Sequence, residues 1–416
     1  VSSIEKLQLS SNAEILTAAG ERLLTLVQKQ LQEPTPERFN PKIISRILRC
    51  PVLLNRRNTA VMEPYVDAAS RLFVDEHFLN RCLVGELANF LWFMSISNLN
   101  TEGELTAIVQ RILDPTLVDT CSPKLASRIL GTYTSIISTA SAQGAKFPNK
   151  IGPMTSELFH GYGGHLLTKQ LTPAEVSTSL YAYAKLAYVH DMGIFDHLVS
   201  LLASVRNKCS ARQLTQGLWS CGKMMEWERI DFEEEDDPAV APYVGHALKI
   251  ATELSLRESE LSKVDVTQCI WALGRLGITE PLVVEGLVKS AGHHASSMNA
   301  VEISNVLWGL AKIDFDSTNS FLISKLSTRL ASDDMYVQPK AAATALYALG
   351  KLKIRDEPVF DKLSQIMISE IENVSAQAVA NALWAHTRVQ LRPPKEMLNL
   401  WAIHKLGVTD LKFHNP

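Results

Sequence analysis

The sequence predicts an all-α fold, a superhelical α-solenoid of about eight or nine helix-turn-helix repeats of 37–39 residues. Three observations support this fold class: one motif recurs along most of the chain, its copies keep a nearly constant period, and strand-like alternation is almost lacking. The motif has an apolar residue, small residues, a Leu or Ile followed by Trp or Tyr, and a basic residue four places after the aromatic one. Its clearest copies are VTQCIWALGRL (266–276), EISNVLWGLAKI (302–313), AATALYALGKL (342–352) and VANALWAHTRV (379–389).

The period is measured from the aromatic position of the motif, which we number 0. The residues at this position are separated by 38, 51, 38, 52, 37, 39 and 37 residues, so five intervals fall at 37–39 and two carry insertions of about 13 residues. Each interval has room for two helices, A and B, and the motif lies on helix B. The residues taken as equivalent are Trp92, Leu130, Tyr181, Trp219, Trp271, Trp308, Tyr347 and Trp384.

The domain organisation follows from these intervals. Residues 1–36 are predicted to form an N-terminal helical cap that ends at a Pro-Thr-Pro segment, since proline cannot continue a helix. Residues 37–390 form the repeat array, with insertions near 141–154 and 231–240, and residues 391–416 form a capping helix and tail. Insertions of this kind are tolerated in the loops of a solenoid.

Two segments of the chain are strongly charged: an acidic one interrupts the repeats, and a basic one includes the first repeat. The acidic run DFEEEDD at residues 231–237 is interpreted as a solvated loop, with docking of a basic partner as the alternative. The first and degenerate copy of the repeat, PKIISRILRCPVL, has Leu48 at position 0. It belongs to the most basic patch of the chain. We interpret this patch as a solvated helix face, with a functional surface as the alternative. The arginines of this patch are Arg46, Arg49, Arg56 and Arg57.

Helical geometry assigns a role to each position of helix B. With 100° per residue, positions −5, −1 and +2 fall on one side and predict the core stripe, as in Ile303, Leu307 and Leu310. Positions −4 and +3 are nearly always small, which lets neighbouring helices approach closely. The aromatic residue lies on the flank of the helix. We expect the tryptophans there to pack between adjacent repeats rather than to stack on nucleic-acid bases.

A different set of residues lies away from the core stripe. Position −3 is small or amide polar: Asn89, Ser127, Thr178, Gln216, Gln268, Asn305, Thr344 and Asn381. Position +4, about 10 Å further along the axis, is basic in six successive repeats: Lys185, Lys223, Arg275, Lys312, Lys351 and Arg388. Position +1 between them is mostly small and is predicted to leave the surface open: Ala182, Ser220, Ala272, Gly309, Ala348 and Ala385.

Two interpretations of these columns remain open. A ladder of cations beside variable polar side chains is the form that a repeat protein takes when it holds a single strand, one unit per base. Alternatively, the cations offset the dipole of the last turn of each helix B, and the polar residues bond neighbouring backbone. Dipole compensation alone does not require a cation in six repeats out of six.

Several copies resemble a known group of repeats. LTQGLWSCGKM (214–224), VTQCIWALGRLGI (266–278), EISNVLWGLAKI and AVANALWAHTRV (378–389) are similar to the second helix of octotricopeptide-type and heptatricopeptide-type repeats, which occur in organellar RNA-binding proteins, and of the FAST-kinase-like mitochondrial family. The resemblance covers roughly residues 87–389. It implies an α-solenoid in a mitochondrion or a plastid that acts in RNA processing, stability, editing or ribosome assembly. No counterpart of the C-terminal RAP domain of such proteins is expected, so the resemblance implies no catalytic role.

Composition limits the other classes of function. The net charge of −3 excludes a strongly basic, wholly nonspecific nucleic-acid binder. The six cysteines are scattered without metal-like spacing and predict buried free thiols. HGYGGH (160–165) lacks the lysine of a phosphate loop and predicts a helix junction, and the adjacent His293 and His294 point apart on a helix. We expect no enzyme, no cofactor, no metal site and no membrane span.

Two functional hypotheses therefore compete. The first is a non-catalytic organellar protein that binds single-stranded or ribosomal RNA, with the basic column on phosphates and position −3 facing bases, as one subunit of a larger complex. The second is a scaffold that holds a partner helix or tail in a groove, as armadillo-like solenoids do. The second hypothesis is favoured by residues 209–416, where 21 basic and 26 acidic side chains give a balance of −5.

Overall fold

The computed structural model describes residues 13–32, 40–53, 59–97, 99, 102–143, 151–231, 241–316, 321–370 and 374–399. Every regular element in these residues is a helix, and successive helices pack in series, which confirms the all-α solenoid. The described chain divides into two compact units, Val1–Leu198 and Val199–Pro416. Half of the first insertion (144–150), nearly all of the second (232–240), with the acidic run beyond Asp231, and the pair Arg56 and Arg57 lie outside the described residues.

The described residues of the first unit form ten complete helices, four of which are B helices. Its B helices are α2, α5, α8 and α10, and α8 packs against both α5 and α10. The helices are α1 Ala13–Gln32, α2 Pro41–Leu53, α3 Thr59–Phe73, α4 Glu76–Leu79, α5 Val84–Ser97, α6 Glu102–Ile112, α7 Pro115–Asp119, α8 Pro123–Ala142, α9 Ile151–Gly163 and α10 Pro173–Lys185. Helix α11, Met192–Ser204, contains the boundary between the units.

The second unit has a more regular repeat. Its B helices α12, α14, α16, α18 and α20 each pack on the next, and its A helices α13, α15, α17 and α19 do the same. The helices are α12 Ala211–Asp231, α13 Val244–Leu256, α14 Lys263–Leu276, α15 Pro281–His294, α16 Ala300–Lys312, α17 Phe321–Ala331, α18 Pro339–Lys351, α19 Glu357–Ser369 and α20 Ala376–Arg388, after which residues 395–399 are helical.

Local sequence explains where the B helices begin. Thr172, Ser262 and Asn299 each accept a hydrogen bond from the third residue of their helix, whose carboxylate bonds back to the cap. These capping boxes satisfy backbone N–H groups that have no partner within the helix. Proline occupies the first helical position in other cases, where its missing N–H costs nothing.

The B helices also end in a common way. Two residues after the basic position the backbone turns left-handed, at φ 55° for Ala187, 68° for Gly277, 50° for Asp314, 57° for Lys353 and 57° for Gln390. The next backbone N–H then donates to the carbonyl five residues earlier, as from Ile278 to Leu273. This is a Schellman motif with an apolar residue after the left-handed one. Only one of the five left-handed positions carries glycine.

The packing confirms the core and the small columns of the motif. Ile303, Leu307 and Leu310 are fully buried. The small residues lie where B helices meet: a Cβ added at Gly274 would lie 2.8 Å from the Gly309 Cα, and one added at Gly309 would lie 2.3 Å from the Ile270 carbonyl oxygen. Small residues at these positions are therefore required for the close approach of α14 and α16.

One prediction about the surface is wrong. Position +1 does not lie open between the polar and basic columns, because this side of each B helix turns toward a neighbouring B helix. Gly309 at position +1 of α16 contacts α14, and a Cβ at Gly350 in α18 would lie 2.6 Å from the Ala385 Cα in α20. The residues of this column are all buried: Ala182, Ser220, Ala272, Gly309, Ala348 and Ala385.

The predicted register is also wrong in two repeats. In the other B helices position 0 is the ninth residue, and it is only half-buried in most of them. Because α8 begins at Pro123 and α2 at Pro41, position 0 is held by Gly131 and Arg49, whereas Leu130 and Leu48 are buried core residues. Position −3 is consequently arginine in both helices, Arg128 in α8 and Arg46 in α2, and Ser127 is a buried small residue at position −4.

Candidate nucleic-acid interface

The solvent-facing side of the B helices in the second unit carries three columns. They are the aromatic ladder at position 0 (Trp219, Trp271, Trp308, Tyr347 and Trp384), the polar column at −3 (Gln216, Gln268, Asn305, Thr344 and Asn381) and the basic column at +4 (Lys223, Arg275, Lys312, Lys351 and Arg388). Every member is half-buried or exposed. The structure thus places all three predicted columns of residues 211–388 on one face.

The aromatic ladder joins consecutive repeats. The ring of Trp271 stacks on those of Trp219 and Trp308, with centroids 6.3 Å apart and planes inclined by 29° in both pairs. Tyr347 and Trp384 are 5.5 Å apart at 30°. Offset stacking of this kind stabilises by about 0.5–1.5 kcal/mol per pair beyond the area buried. The predicted packing of the tryptophans between repeats is therefore confirmed, and Trp384, at the end of the ladder, is 44% exposed.

Two members of the basic column lie over these rings. The guanidinium carbon of Arg275 is 5.3 Å from the Trp271 centroid and 4.5 Å from the Trp308 centroid. The Lys312 ammonium is 5.6 Å from the centroids of both Trp308 and Tyr347. Cations over aromatic faces are attracted by the ring quadrupole, so each one bridges two repeats electrostatically. Cations and rings form one interleaved structure on this face.

Carboxylates neutralise part of the basic column. Glu226 on α12 accepts from the Arg275 guanidinium at 2.8 Å and also pairs with Lys223, and Asp314 lies 3.1 Å from the Lys351 ammonium. Lys312 and Arg388 are exposed and have no carboxylate within ion-pair distance in the described part of the chain. Within the basic column of this unit, these two residues are thus the cations that are available to an external anion.

The polar column is divided in a similar way. The Thr344 hydroxyl donates to the Lys340 carbonyl of its own helix at 2.9 Å, as the alternative interpretation required. Gln268 accepts from Arg212 at 3.3 Å, and Asn381 accepts from Gln377 at 2.9 Å. By contrast, the side chains of Gln216 and Asn305 make no hydrogen bond within the described residues. Their amides remain available to a ligand.

The alternative role of the basic column is also present in the structure. Lys312, Lys351 and Arg388 are the last residues of their helices, where a cation is favoured by the helix dipole. Lys185 ends α10 in the first unit in the same way and is exposed. Compensation of the dipole and contact with an anion are compatible, because an exposed ammonium group can do both.

The corrected register reveals functional candidates that the motif did not. In the first unit, the Arg49 guanidinium carbon lies 5.5 Å from the Trp92 centroid, so arginine takes the place of the stacking ring. Arg128 donates to the Asn89 side-chain oxygen at 2.6 Å, and burial together with the nearby charge of Arg49 lowers the pKa of Arg128. The Ser-Pro cap at residues 122–123 was the signal that would have placed Arg128 at position −3.

Other predicted features carry no chemistry in the structure. The first of them, HGYGGH, forms the junction between α9 and a short 3-10 turn, as predicted, and His293 and His294 end α15. The described residues contain no cluster of three metal-ligating side chains. Burial raises the pKa of Cys121 to about 11 and of Cys82 and Cys269 to about 12, so these thiols stay protonated. Five of the six cysteines are buried and form no disulfide, and the side chain of Cys50 is outside the description.

No described helix is both long and apolar enough to cross a bilayer. No protein-family model matches the sequence, and no curated protein does. Among known structures, a chain in a homology model of the full-length AP-3 complex in an intermediate open conformation matches with 10% sequence identity and a TM-score of 0.24, over 97% of this chain and 86% of that chain. A similarity of this size carries no argument about function.

Proposed function

We propose that this protein binds single-stranded RNA along the solvent-facing side of its B helices. The observation that carries the proposal is the repetition of one surface unit, an aromatic ring flanked by a polar side chain and a cation, on five successive B helices of the second unit. A periodic row of cations matches the periodic charge of a nucleic-acid backbone.

The contacts within this face suggest how the strand is held. The tryptophan rings already stack on one another, so bases do not need to enter the ladder. The phosphates instead lie on Lys312 and Arg388, which lack carboxylate partners in the described residues, and the amides of Gln216 and Asn305 face the bases. Because Glu226 and Asp314 neutralise the other cations, binding is expected to be moderate and strongly dependent on salt.

The cellular role follows from the resemblance of the repeats. Similar repeats occur in organellar RNA-binding proteins, so we place this chain in a mitochondrion, with a plastid as the alternative. There it acts without catalysis as one subunit of an RNA-processing, RNA-editing or ribosomal assembly. Other proteins of that assembly contact the surfaces that the RNA leaves free.

The experiment compares two double variants of the full chain. Lys312→Gln with Arg388→Gln removes the two cations that lack carboxylate partners, and Lys249→Gln with Arg355→Gln removes two exposed charges away from the B helices. We expect the first variant to bind a mixed-sequence single-stranded RNA about tenfold or more weakly. Its plot of log affinity against log salt should be less steep by about 1.4, two phosphates at about 0.7 each. Equal binding by both variants would overturn the proposal.

A protein-binding scaffold is the second candidate, and one observation favours it. Three of the five cations in the basic column have a carboxylate partner within the chain, which reduces the positive potential that a polyanion would meet. If the protein binds no single-stranded RNA even at low salt, the scaffold is the better assignment. A ribonuclease-resistant complex that depends on Lys312 and Arg388 would then identify the same face as a protein interface.

A further inference from the structure

In the first unit, one B helix has no side chain at position 0. Position 0 of α8 is Gly131, whereas α5 and α10 on either side carry Trp92 and Tyr181. An open pocket of about 400 Å³ lies over Gly131 between these helices. A Cβ on residue 131 would lie 2.3 Å from the Thr178 methyl group, so any larger residue there would displace the Thr178 side chain. The pocket exists because a ring is absent.

The lining of this pocket is mostly apolar in area and carries basic and hydroxyl side chains. Lys124 and Arg128 come from the solvent-facing side of α8, and hydroxyls of Ser95, Thr132, Ser135 and Thr178 surround them. Glu175 also lines the edge, but one of its carboxylate oxygens accepts from the Thr172 backbone N–H at 2.8 Å as part of a capping box. Neither Lys124 nor Arg128 has a carboxylate within ion-pair distance in the described residues.

Arg49 increases this excess of positive charge. It is near enough to Arg128 that its charge helps to lower the Arg128 pKa. Its guanidinium Nε is buried without a hydrogen-bond partner in the described residues. Two guanidinium groups near each other without a counter-ion are unfavourable unless an anion is bound. Arg49 does not itself line the pocket, but a phosphate bound to Arg128 would offset the repulsion between the two groups.

We propose that this pocket binds one nucleotide of the RNA strand, with its phosphate on Arg128 and Lys124. The inference rests on the function proposed above and makes it more specific. The pocket volume falls in the range of small-ligand sites, roughly 300–1,000 Å³, and is more than a lone phosphate needs. The hydroxyls provide donors and acceptors for a ribose or a base. The first unit therefore fixes one nucleotide in a defined place, whereas the second unit follows the backbone.

The test uses the full chain and three probes: adenosine 5′-monophosphate, inorganic phosphate and a mixed-sequence single-stranded RNA. The test variants are Lys124→Gln, Arg128→Gln and Arg128→Lys. The control is Arg71→Gln with Lys169→Gln, two exposed charges elsewhere in the first unit. Lys124 is exposed and has no described partner, so its replacement leaves the fold intact. We expect Lys124→Gln and Arg128→Gln each to weaken binding of the nucleotide and of the RNA by about 10-fold or more, and Arg128→Lys to restore part of it.

The outcomes separate the two proposals. If RNA binding needs Lys312 and Arg388 but not Lys124 or Arg128, the pocket assignment is wrong and the proposed function stands. If inorganic phosphate binds as tightly as the nucleotide, the pocket recognises phosphate alone and the nucleotide assignment is overturned. If the nucleotide binds while RNA binding is absent in every form of the protein, the site serves a free nucleotide and the proposed function fails.

Discussion

Arg275 and Trp308 belong to successive repeats, and the guanidinium carbon of Arg275 lies 4.5 Å from the centroid of the Trp308 ring. The same guanidinium donates to Glu226 of the preceding B helix at 2.8 Å. One side chain therefore links three repeats, through its own helix, a ring on one side and a carboxylate on the other. The basic column contributes to the joints of the solenoid as well as to its surface charge.

Removal of Glu226 should strengthen RNA binding. In Glu226→Gln the cations Lys223 and Arg275 lose their shared carboxylate and become available to phosphate. We expect a several-fold higher affinity at low salt and a salt dependence steeper by about 0.7 for each phosphate gained. The loss of stability should stay below about 1 kcal/mol, since the pair is partly exposed.

The matched control is Glu253→Gln. Glu253 pairs with Arg206 and Arg257 on the A-helix side, and its side chain has the same exposure, 23%, as that of Glu226. It alters net charge equally but should leave RNA binding nearly unchanged. An equal gain in both variants would mean that net charge, and not the B-helix face, controls the binding.

A ring at the centre of the aromatic ladder should contribute more to the free energy of unfolding than the ring at its end. Trp271 stacks on two rings, whereas Trp384 contacts only Tyr347 among the described rings. Trp271→Ala should lower the free energy of unfolding by about 3 kcal/mol, and Trp384→Ala by about 1 kcal/mol. Urea unfolding followed by far-UV circular dichroism measures both values. Similar losses at the two positions would contradict a role for stacking.

The periodicity of the sequence predicts the fold, but it does not show which side of each B helix contacts the next B helix. The 37–39-residue period and the Leu-Trp pair suffice for an α-solenoid, and Ile303, Leu307 and Leu310 identify the core. A helical wheel does not say from which side the neighbouring B helix approaches. Position +1 was therefore assigned to the surface, although Gly309 lies against the Ile270 carbonyl.

The candidate site was predictable in its columns but not in its electrostatics. Arg275 was found from the motif, yet its counter-ion Glu226 is 49 residues away in sequence, and no local pattern connects them. The register error in α8 had a different cause. Most copies of the motif have a large apolar or aromatic residue at position 0, which favours Leu130. The Ser-Pro cap indicates instead that this position is Gly131.

The close contact at Gly309 should make it intolerant of a methyl group. In Gly309→Ala the new Cβ would lie 2.3 Å from the Ile270 carbonyl oxygen, so α14 and α16 must separate. We expect a loss of about 1–3 kcal/mol in the free energy of unfolding. Gly292→Ala in α15 is the control, because nothing lies within 4 Å of its added Cβ. That change should stabilise by about 0.5–1 kcal/mol, and a loss at both sites would point to a general intolerance of alanine.

At the left-handed helix ends, replacement by glycine should stabilise the protein and replacement of glycine should destabilise it. Gln390 has φ 57°, a conformation that costs a non-glycine residue about 1 kcal/mol, so Gln390→Gly should stabilise by about 0.5 kcal/mol after the extra entropy of the unfolded chain. Gly277 has φ 68° and open space around it, so Gly277→Ala should destabilise by about 1 kcal/mol from strain alone. Thermal unfolding of both variants checks the signs, and the same sign for both would show that the helix ends adopt another conformation.

The stability of the second unit should fall in mild acid because of His386. This residue is 1% exposed, its Nδ1 lies 2.9 Å from the Ala382 carbonyl oxygen, and its Nε2 lies 3.4 Å from the Ser364 hydroxyl. Burial lowers its pKa below the ordinary value near 6.5, although the bond to Ala382 and the charge of Asp361 act in the other direction. The unfolded chain therefore binds a proton at a higher pH than the folded chain.

The stabilising effect of the neutral imidazole is complete above the unfolded pKa and is lost as pH falls from about 6.5 toward the lower folded pKa. The slope due to this one group is at most about 1.4 kcal/mol per pH unit. Urea midpoints measured between pH 7.5 and about 5 should fall more steeply in the wild type than in His386→Gln, whose neutral side chain has a hydrogen-bond donor and an acceptor but does not titrate. All other groups are the same in both proteins, so their contributions cancel in the comparison. Parallel slopes would show that His386 is protonated as readily in the folded chain as in the unfolded one.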